Sequence, residues 1–249
     1  FADTARIPFG VGTYASRNAV MAGSATLVAT QRVRDKACEI AADLLEVNPS
    51  DIEWRDGAAQ LKGVPEKNFS LSELAQKAAP GGTRPAGMEP GLESRYHFET
   101  HKAPFSYGVH LAEVEIDVET GAVDIVRYVV VNDCGRMINP MIVEGQIVGG
   151  IAQGVGGALL EELVYDDDGQ MLNANLLDYQ LPTSLDLPNI DIGHLESHSP
   201  LNPLGAKGIG EGGAIGAHAV IANAVEDAIA HTGARVRETP LRPALVWKL

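Results

Sequence analysis

Pro203-Leu204-Gly205-Ala206-Lys207-Gly208-Ile209-Gly210-Glu211-Gly212-Gly213-Ala214-Ile215-Gly216 sets one carboxylate among six glycines. Small residues expose backbone N–H groups and let the chain pass close to a ligand, and a following helix adds its positive end. A carboxylate there suits a general base, provided a reacting group comes within hydrogen-bond reach. The plainer reading is that Glu211 only caps or neutralises the helix N-terminus. Gly208, Gly210 and Gly213 also satisfy GxGxxG, a dinucleotide pattern that requires a preceding apolar strand. The lead-in Ser199-Pro200-Leu201-Asn202-Pro203 carries two prolines, which argue against such a strand.

The positioning elements follow from periodicity. Ala25, Val28, Ala29, Val33, Ala37, Ile40, Ala41 and Leu44 predict a helix from about Asn18 to Leu45, led by the loop Pro8 to Arg17. Asp56-Gly57 predicts a hairpin turn within Asp51 to Lys62, and Ser70-Leu71-Ser72-Glu73 matches a capping box for a short helix through Lys77. Residues 80–95, rich in Pro and Gly, read as a linker. His110 to Asp117 and Val123 to Val131 alternate as an antiparallel hairpin, and Gly145 to Glu162 reads as a helix with small residues on one side. A second hairpin around Asp168-Gly169, a strand at Ile190 to Glu196 and a last helix from Ala214 to His231 complete an α+β fold of antiparallel hairpins and sheets with packed helices. Two subdomains are expected, 1–95 and 96–249, the second carrying the Glu211 loop.

The 249 residues carry a net charge of −14, which disfavours nucleic acid and anionic lipid as partners. The apolar stretch Ile138 to Leu163 is broken by Glu144, Gln146, Gln153 and six glycines, so no membrane span is expected. Cys38 and Cys134 have no ligand spacing; one long-range disulfide is an alternative, but free thiols in a cytoplasmic setting are the preferred reading. His110, His194, His198 and His218 show no spacing for metal ligation and read as structural or surface residues. The chain opens on Phe1, and an upstream extension is expected.

Four segments in order resemble the molybdenum hydroxylase family of carbon monoxide dehydrogenase, aldehyde oxidase and xanthine dehydrogenase. Gly10-Val11-Gly12-Thr13-Tyr14-Ala15-Ser16-Arg17 is similar to its cofactor-contacting loop, with Ala15 where a glycine is expected. The hairpin leading to Asn132-Asp133-Cys134-Gly135-Arg136-Met137-Ile138-Asn139-Pro140, the segment Gly145-Gln146 to Gly154, and Lys207 to Gly213 complete the likeness. The resemblance implies the C-terminal part of a molybdopterin-binding large subunit, closest to the carbon monoxide dehydrogenase-like branch. It implies a molybdenum-pyranopterin, in the cytosine dinucleotide form, and iron-sulfur and FAD subunits that take the electrons. Glu211 would receive the proton as water-derived oxygen attacks a small substrate. Gly12, Thr13, Tyr14, Ser16, Arg17, Asp133, Arg136, Asn139, Gln146, Lys207, Gly208, Gly210 and Gly212 would contact the cofactor. Beside each stands a plainer role: a cap loop for 12–17, a self-closed polar turn for Asp133, Arg136 and Asn139, close packing for Gln146 and its glycines, and solvent for Lys207. The rest of the large subunit, on the same or a separate chain, would supply the other half of the pocket and the choice of substrate. The readings from other classes are a noncatalytic scaffold of this fold and a nucleotide-dependent oxidoreductase.

Overall fold

Residues 3–5, 7 and 12–249 are described in the structure, a computed structural model; Pro8, Gly10 and Val11 of the first loop lie outside the described residues. The chain divides into two units, Met21–Glu99 and Phe1–Val20 with Thr100–Leu249. The sequence placed residues 1–95 together; the segment before Met21 instead groups with the C-terminal portion, where Ser16 bonds to Glu211, 195 residues downstream.

Helix α1 (Asn18–Leu45) buries Ala37, Ile40 and Ala41 completely, as its helical period demands. In the same unit β1 (Ile52–Arg55), β2 (Ala58–Leu61) and β3 (Val64–Ser70) form an antiparallel sheet in the order β1-β2-β3. Asp56 and Gly57 both take positive φ, +49° and +79°, as the tight hairpin turn requires. Strand β3 was not expected; most of it is exposed and it contains Pro65, so no apolar alternation betrays it. The capping box forms at α2 (Leu71–Ala78): the Ser70 hydroxyl accepts from the Glu73 amide and Glu73 accepts from the Ser70 amide. The stretch 80–95 has no regular element but is fastened down. Met88 and Leu92 pack on the core and Lys36 Nζ donates to the Glu89 carbonyl at 2.8 Å.

The larger unit is built on β4 (Tyr107–Ile116), β5 (Val123–Asp133) and β6 (Ile190–Leu195), in the order β4-β5-β6. β4 and β5 pair antiparallel as expected, whereas β6 joins β5 in parallel, from Tyr128↔Ile190 to Asp133↔Leu195. The strand itself was expected, its partner was not, and a parallel partner requires the long crossover between β5 and β6. That crossover begins with α3 (Pro140–Val155), more than a full turn earlier than the glycine pattern suggested, because Asn139 caps it and Pro140 takes its first turn. A π-helical turn, Gly156–Leu160, ends it. The expected hairpin around Asp168-Gly169 is a turn with the single bridge Tyr165↔Met171.

Helix α4 (Gly212–Ala228) packs along α3, and Tyr128, Val130, Ile147, Ile151, Ala217 and Ile221 fill the core with them. The helices approach through glycine. A Cβ on Gly150 would stand 2.6 Å from the Ala214 amide nitrogen, and one on Gly213 would stand 2.2 Å from the Ile147 carbonyl. Gly145 and Gly149 have no such neighbour and face open space. The short α5 (Pro243–Val246) closes a small cluster with Val225 and Leu241. No helix among the described residues is long and apolar enough to cross a membrane.

Candidate active site

Two segments from opposite ends of the chain meet at Glu211. Ala15 and Ser16 both adopt left-handed backbone, φ +53° and +49°, a conformation costing a non-glycine residue about 1 kcal/mol or more. This curl aims Ser16 at the glycine-rich loop. Its hydroxyl donates to Glu211 Oε2 at 2.9 Å and accepts from the Glu211 amide at 3.0 Å. Ala15, the departure noted in the sequence, thus occupies a left-handed position, which explains why glycine is the expected residue. A Cβ on Gly208 would fall 1.8 Å from the Ser16 carbonyl oxygen, so only glycine lets the two segments touch.

Glu211 occupies the N-cap position of α4, yet its side chain makes no capping bond. The carboxylate turns to Ser16, which counts against the capping role as its whole purpose. It lines a cavity of about 670 Å³ with Gln146, Gly149, Gln153, Gly210 and Ile215. Gln146 Nε2 donates to the Gly210 carbonyl at 3.2 Å, so this residue serves the loop as well as the wall.

Beside Ser16, the Arg17 guanidinium lies 4.5 Å from the centroid of the half-exposed Tyr14 ring. Arg17 Nε is buried without a hydrogen-bond partner among the described residues. An orphaned donor on a cation is costly to bury and suits an anionic group that completes it. Thr13 Oγ1 accepts from Asn18 Nδ2 at 2.6 Å, and Gly12 turns with φ +79°. A second orphan is Nδ2 of Asn132, a residue only 3% exposed and wedged against Gly108 and Gly212.

Lys207 and Asp133 do something other than meet a ligand. Lys207 Nζ contacts Asp133 Oδ1 at 3.1 Å, Ser197 Oγ at 2.7 Å and the Tyr107 ring at 4.6 Å, which occupies its three protons. Asp133 also accepts from the Gly135 amide at 2.8 Å and from the Ser197 amide and hydroxyl. Burial pushes the Asp133 carboxyl up, but the bonds from Ser197, Gly135 and Lys207 outweigh it and hold the pKa at about 2. The pair clamps the end of β5 to the segment entering the Glu211 loop; neither is free to bind a phosphate. The clamp is reinforced by backbone bonds from Lys207 to Cys134, 2.7 Å, and from Arg136 to Gly205, 3.0 Å.

Arg136 keeps an exposed side chain, and the Asn139 side chain is committed to the α3 cap at 3.3 Å. The Gly212 amide donates to the Ile209 carbonyl. The dinucleotide pattern finds no strand before Gly208, only the isolated bridge Gly135↔Ala206. Ser197 went unnoticed in the sequence and Gln153 was not singled out as a site residue, neither having a motif spacing to mark a role, and His110 carried no metal-ligand signal.

An α+β unit that presents a carboxylate between two glycine-bearing loops, beside an unpaired arginine nitrogen, defines a cofactor-binding domain. Residues 1–188 match the family model of the molybdopterin cofactor-binding domain, and the chain belongs to that family. It is 37% identical over 246 residues to the carbon monoxide dehydrogenase large chain of Hydrogenophaga pseudoflava, covering 99% of this chain and 30% of that one. It is 40% identical over 246 residues to the 6-hydroxypseudooxynicotine dehydrogenase complex subunit gamma of Paenarthrobacter nicotinovorans, covering 98% and 31%. The crystal structure of quinoline 2-oxidoreductase from Pseudomonas putida 86 superposes with a TM-score of 0.88 at 42% identity, over 96% of this chain and 31% of that one. The chain therefore spans about a third of the length of these relatives.

Proposed function

We propose that this chain is the C-terminal part of the large subunit of a molybdenum hydroxylase of the carbon monoxide dehydrogenase-like branch, with Glu211 as its general base. The observation that carries this reading is the pair of bonds from one Ser16 hydroxyl to the Glu211 carboxylate and amide, at the wall of an open cavity. When bound, a molybdenum-pyranopterin supplies the two-electron redox centre that the side chains lack. The residues present fit it: the orphaned Arg17 Nε would meet a phosphate of the cytosine dinucleotide form, Gly12, Thr13, Tyr14, Gly210 and Gly212 would line its approach, and Gly208 lets Ser16 reach the Glu211 loop. Gln146 fixes the loop at Gly210, while Arg136 offers an exposed guanidinium to the dinucleotide tail and Asn139 acts through the α3 cap.

Glu211 accepts a proton at Oε1 or Oε2 as water-derived oxygen adds to a small substrate, and Ser16 holds the carboxylate in one rotamer while it does so. Iron-sulfur and FAD subunits would supply the acceptors for the two electrons that the substrate loses. The rest of the large subunit completes the pocket and chooses the substrate.

The test is molybdenum and iron analysis of the complex purified with its partner chains, together with Glu211→Gln. The expected result is about one molybdenum per copy, iron in the partners, and a variant that keeps its metal while kcat falls by about 10³ or more, since an amide keeps the shape but takes no proton. An intact complex without molybdenum favours the scaffold reading. Undiminished turnover of the variant removes Glu211 from the chemistry.

A further inference from the structure

The sheet of the larger unit is apolar on both sides. On β5, Tyr128-Val129-Val130-Val131 runs without a charge or an amide, the pattern of a strand covered on both faces; a strand with one wet face alternates apolar and polar. Tyr128 and Val130 are completely buried in the core that α3 and α4 share with the sheet. Val129 and Val131 point the other way. On that outer face Leu111 of β4 stands opposite Val129, Val109 stands opposite Val131, and Leu195 of β6 continues the row opposite Asp133. Val109 is 73% exposed, Leu195 61% and Leu111 50%. The sequence is written for a layer on this face, and the described residues of this unit supply none over Val109 and Leu111.

The strip has charged ends. At one, Arg127 lies 3.9 Å from Glu113 and 3.6 Å from Asp191. At the other, the Tyr107 ring holds the Lys207 ammonium at 4.6 Å, where the clamp to Asp133 ties β5 to the Glu211 loop. Beside Val131, Gly193 has no side chain to add and leaves a notch in the strip. An apolar centre with a polar rim is the anatomy of a protein interface, and a contiguous exposed apolar patch marks a surface that binds.

We propose that this face is the seat of the rest of the large subunit, the part that this chain does not contain. The proposal rests on the reading of the chain as one portion of such a subunit. The chain covers 30% and 31% of two of its relatives, so a polypeptide more than twice its own length has to be placed against it. A permanent association of that size needs an apolar core of its own. A second copy is disfavoured, because each copy brings a net charge of −14. A segment seated on Val109 and Val131 also adjoins Tyr107 and Lys207, and Lys207 stands four residues before Glu211. Docking there brings the rest of the subunit to the lead-in of the catalytic loop.

Two measurements on the complete, purified complex test this. In the first, p-benzoylphenylalanine at position 109 or 111 is irradiated and the cross-linked peptides are identified by mass spectrometry. The expected partners are peptides of the large subunit outside this chain. Cross-links to a second copy, to this chain itself or to an iron-sulfur or FAD subunit overturn the proposal, as does a fully assembled complex that gives none.

The second measurement needs no substitution and covers the case in which the bulky residue blocks assembly. Carbene footprinting of the wild-type complex should label Val109 and Leu111 at less than about a tenth of the level in the denatured complex, since interface cores pack like protein interiors. Labelling at roughly half that level or more, as exposures of 73% and 50% require of a bare face, overturns the proposal. Both readouts are independent of turnover and metal. A bare face in an active, molybdenum-loaded complex defeats this proposal alone, whereas a covered face in a complex without molybdenum defeats the hydroxylase reading alone.

Discussion

Ser16 Oγ sits 2.9 Å from Glu211 Oε2 and 3.0 Å from the Glu211 amide nitrogen, acting as donor to one and acceptor from the other. A single hydroxyl thereby fixes both the backbone and the side chain of the residue assigned as base.

Removing that hydroxyl tests the relationship directly. A hydrogen bond to a charged group contributes about 1.5–3 kcal/mol, so Ser16→Ala should lower kcat by roughly ten- to a hundredfold if the bond persists in the transition state. Steady-state kinetics normalised to molybdenum content measure it. Cysteine or alanine variants that turn over at the wild-type rate would show the carboxylate to be positioned by other groups.

Gly208 and Gly145 make a contrasting pair. Alanine at 208 would drive a methyl group to 1.8 Å from the Ser16 carbonyl, while at 145 nothing lies within 4 Å. Gly208→Ala should therefore push the two loops apart and cut molybdenum loading to below about a tenth. Gly145→Ala, in a helix interior, should load normally and gain roughly 0.5–1 kcal/mol of stability. Metal content per copy and thermal unfolding decide both.

Ala15 is expected to be improvable. Its left-handed backbone costs about 1–2 kcal/mol, and glycine relieves this while giving back about 0.5–1 kcal/mol through the unfolded chain. Ala15→Gly should raise the melting temperature by about 1–3 °C. A lowered value would mean that the loop holds this conformation without strain.

The Asp133–Lys207 clamp makes an acid-stability prediction. The folded pKa of Asp133, about 2, lies below the unfolded value, so its contribution is complete above roughly pH 4 and is lost as pH falls through the folded value. Denaturant midpoints should fall between about pH 4 and pH 2 in the wild type more steeply than in Asp133→Asn. Either Asp133→Asn or Lys207→Met strands a buried partner and should cost about 3–5 kcal/mol at neutral pH.

What could be read without coordinates was local. Helix α1 and the turn at Asp56-Gly57 are written in period and turn chemistry, and both ends of α1 fall where the apolar spacing predicts them. The family likeness was legible in four motifs because each is a contiguous run. The roles inside those runs were not. Lys207 could be read as facing a phosphate or solvent, since a sequence shows a charge and not its neighbours, and only the fold brings Asp133, Ser197 and Tyr107 around it. The parallel pairing of β6 was hidden for the same reason, as was the grouping of residues before Met21 with the far end of the chain. Ser197 carries no pattern whatever; it matters because of a 64-residue return to Asp133.

The contact between Ser16 and Glu211 also sets a schedule. Because 195 residues separate them, the first loop leaves the ribosome long before its partner exists. At about 5–20 residues per second the wait is about 10–40 s. The cradle cannot be assembled until then, and a cofactor has no completed binding surface until the Glu211 loop has emerged. Binding there depends on a contact between segments 195 residues apart.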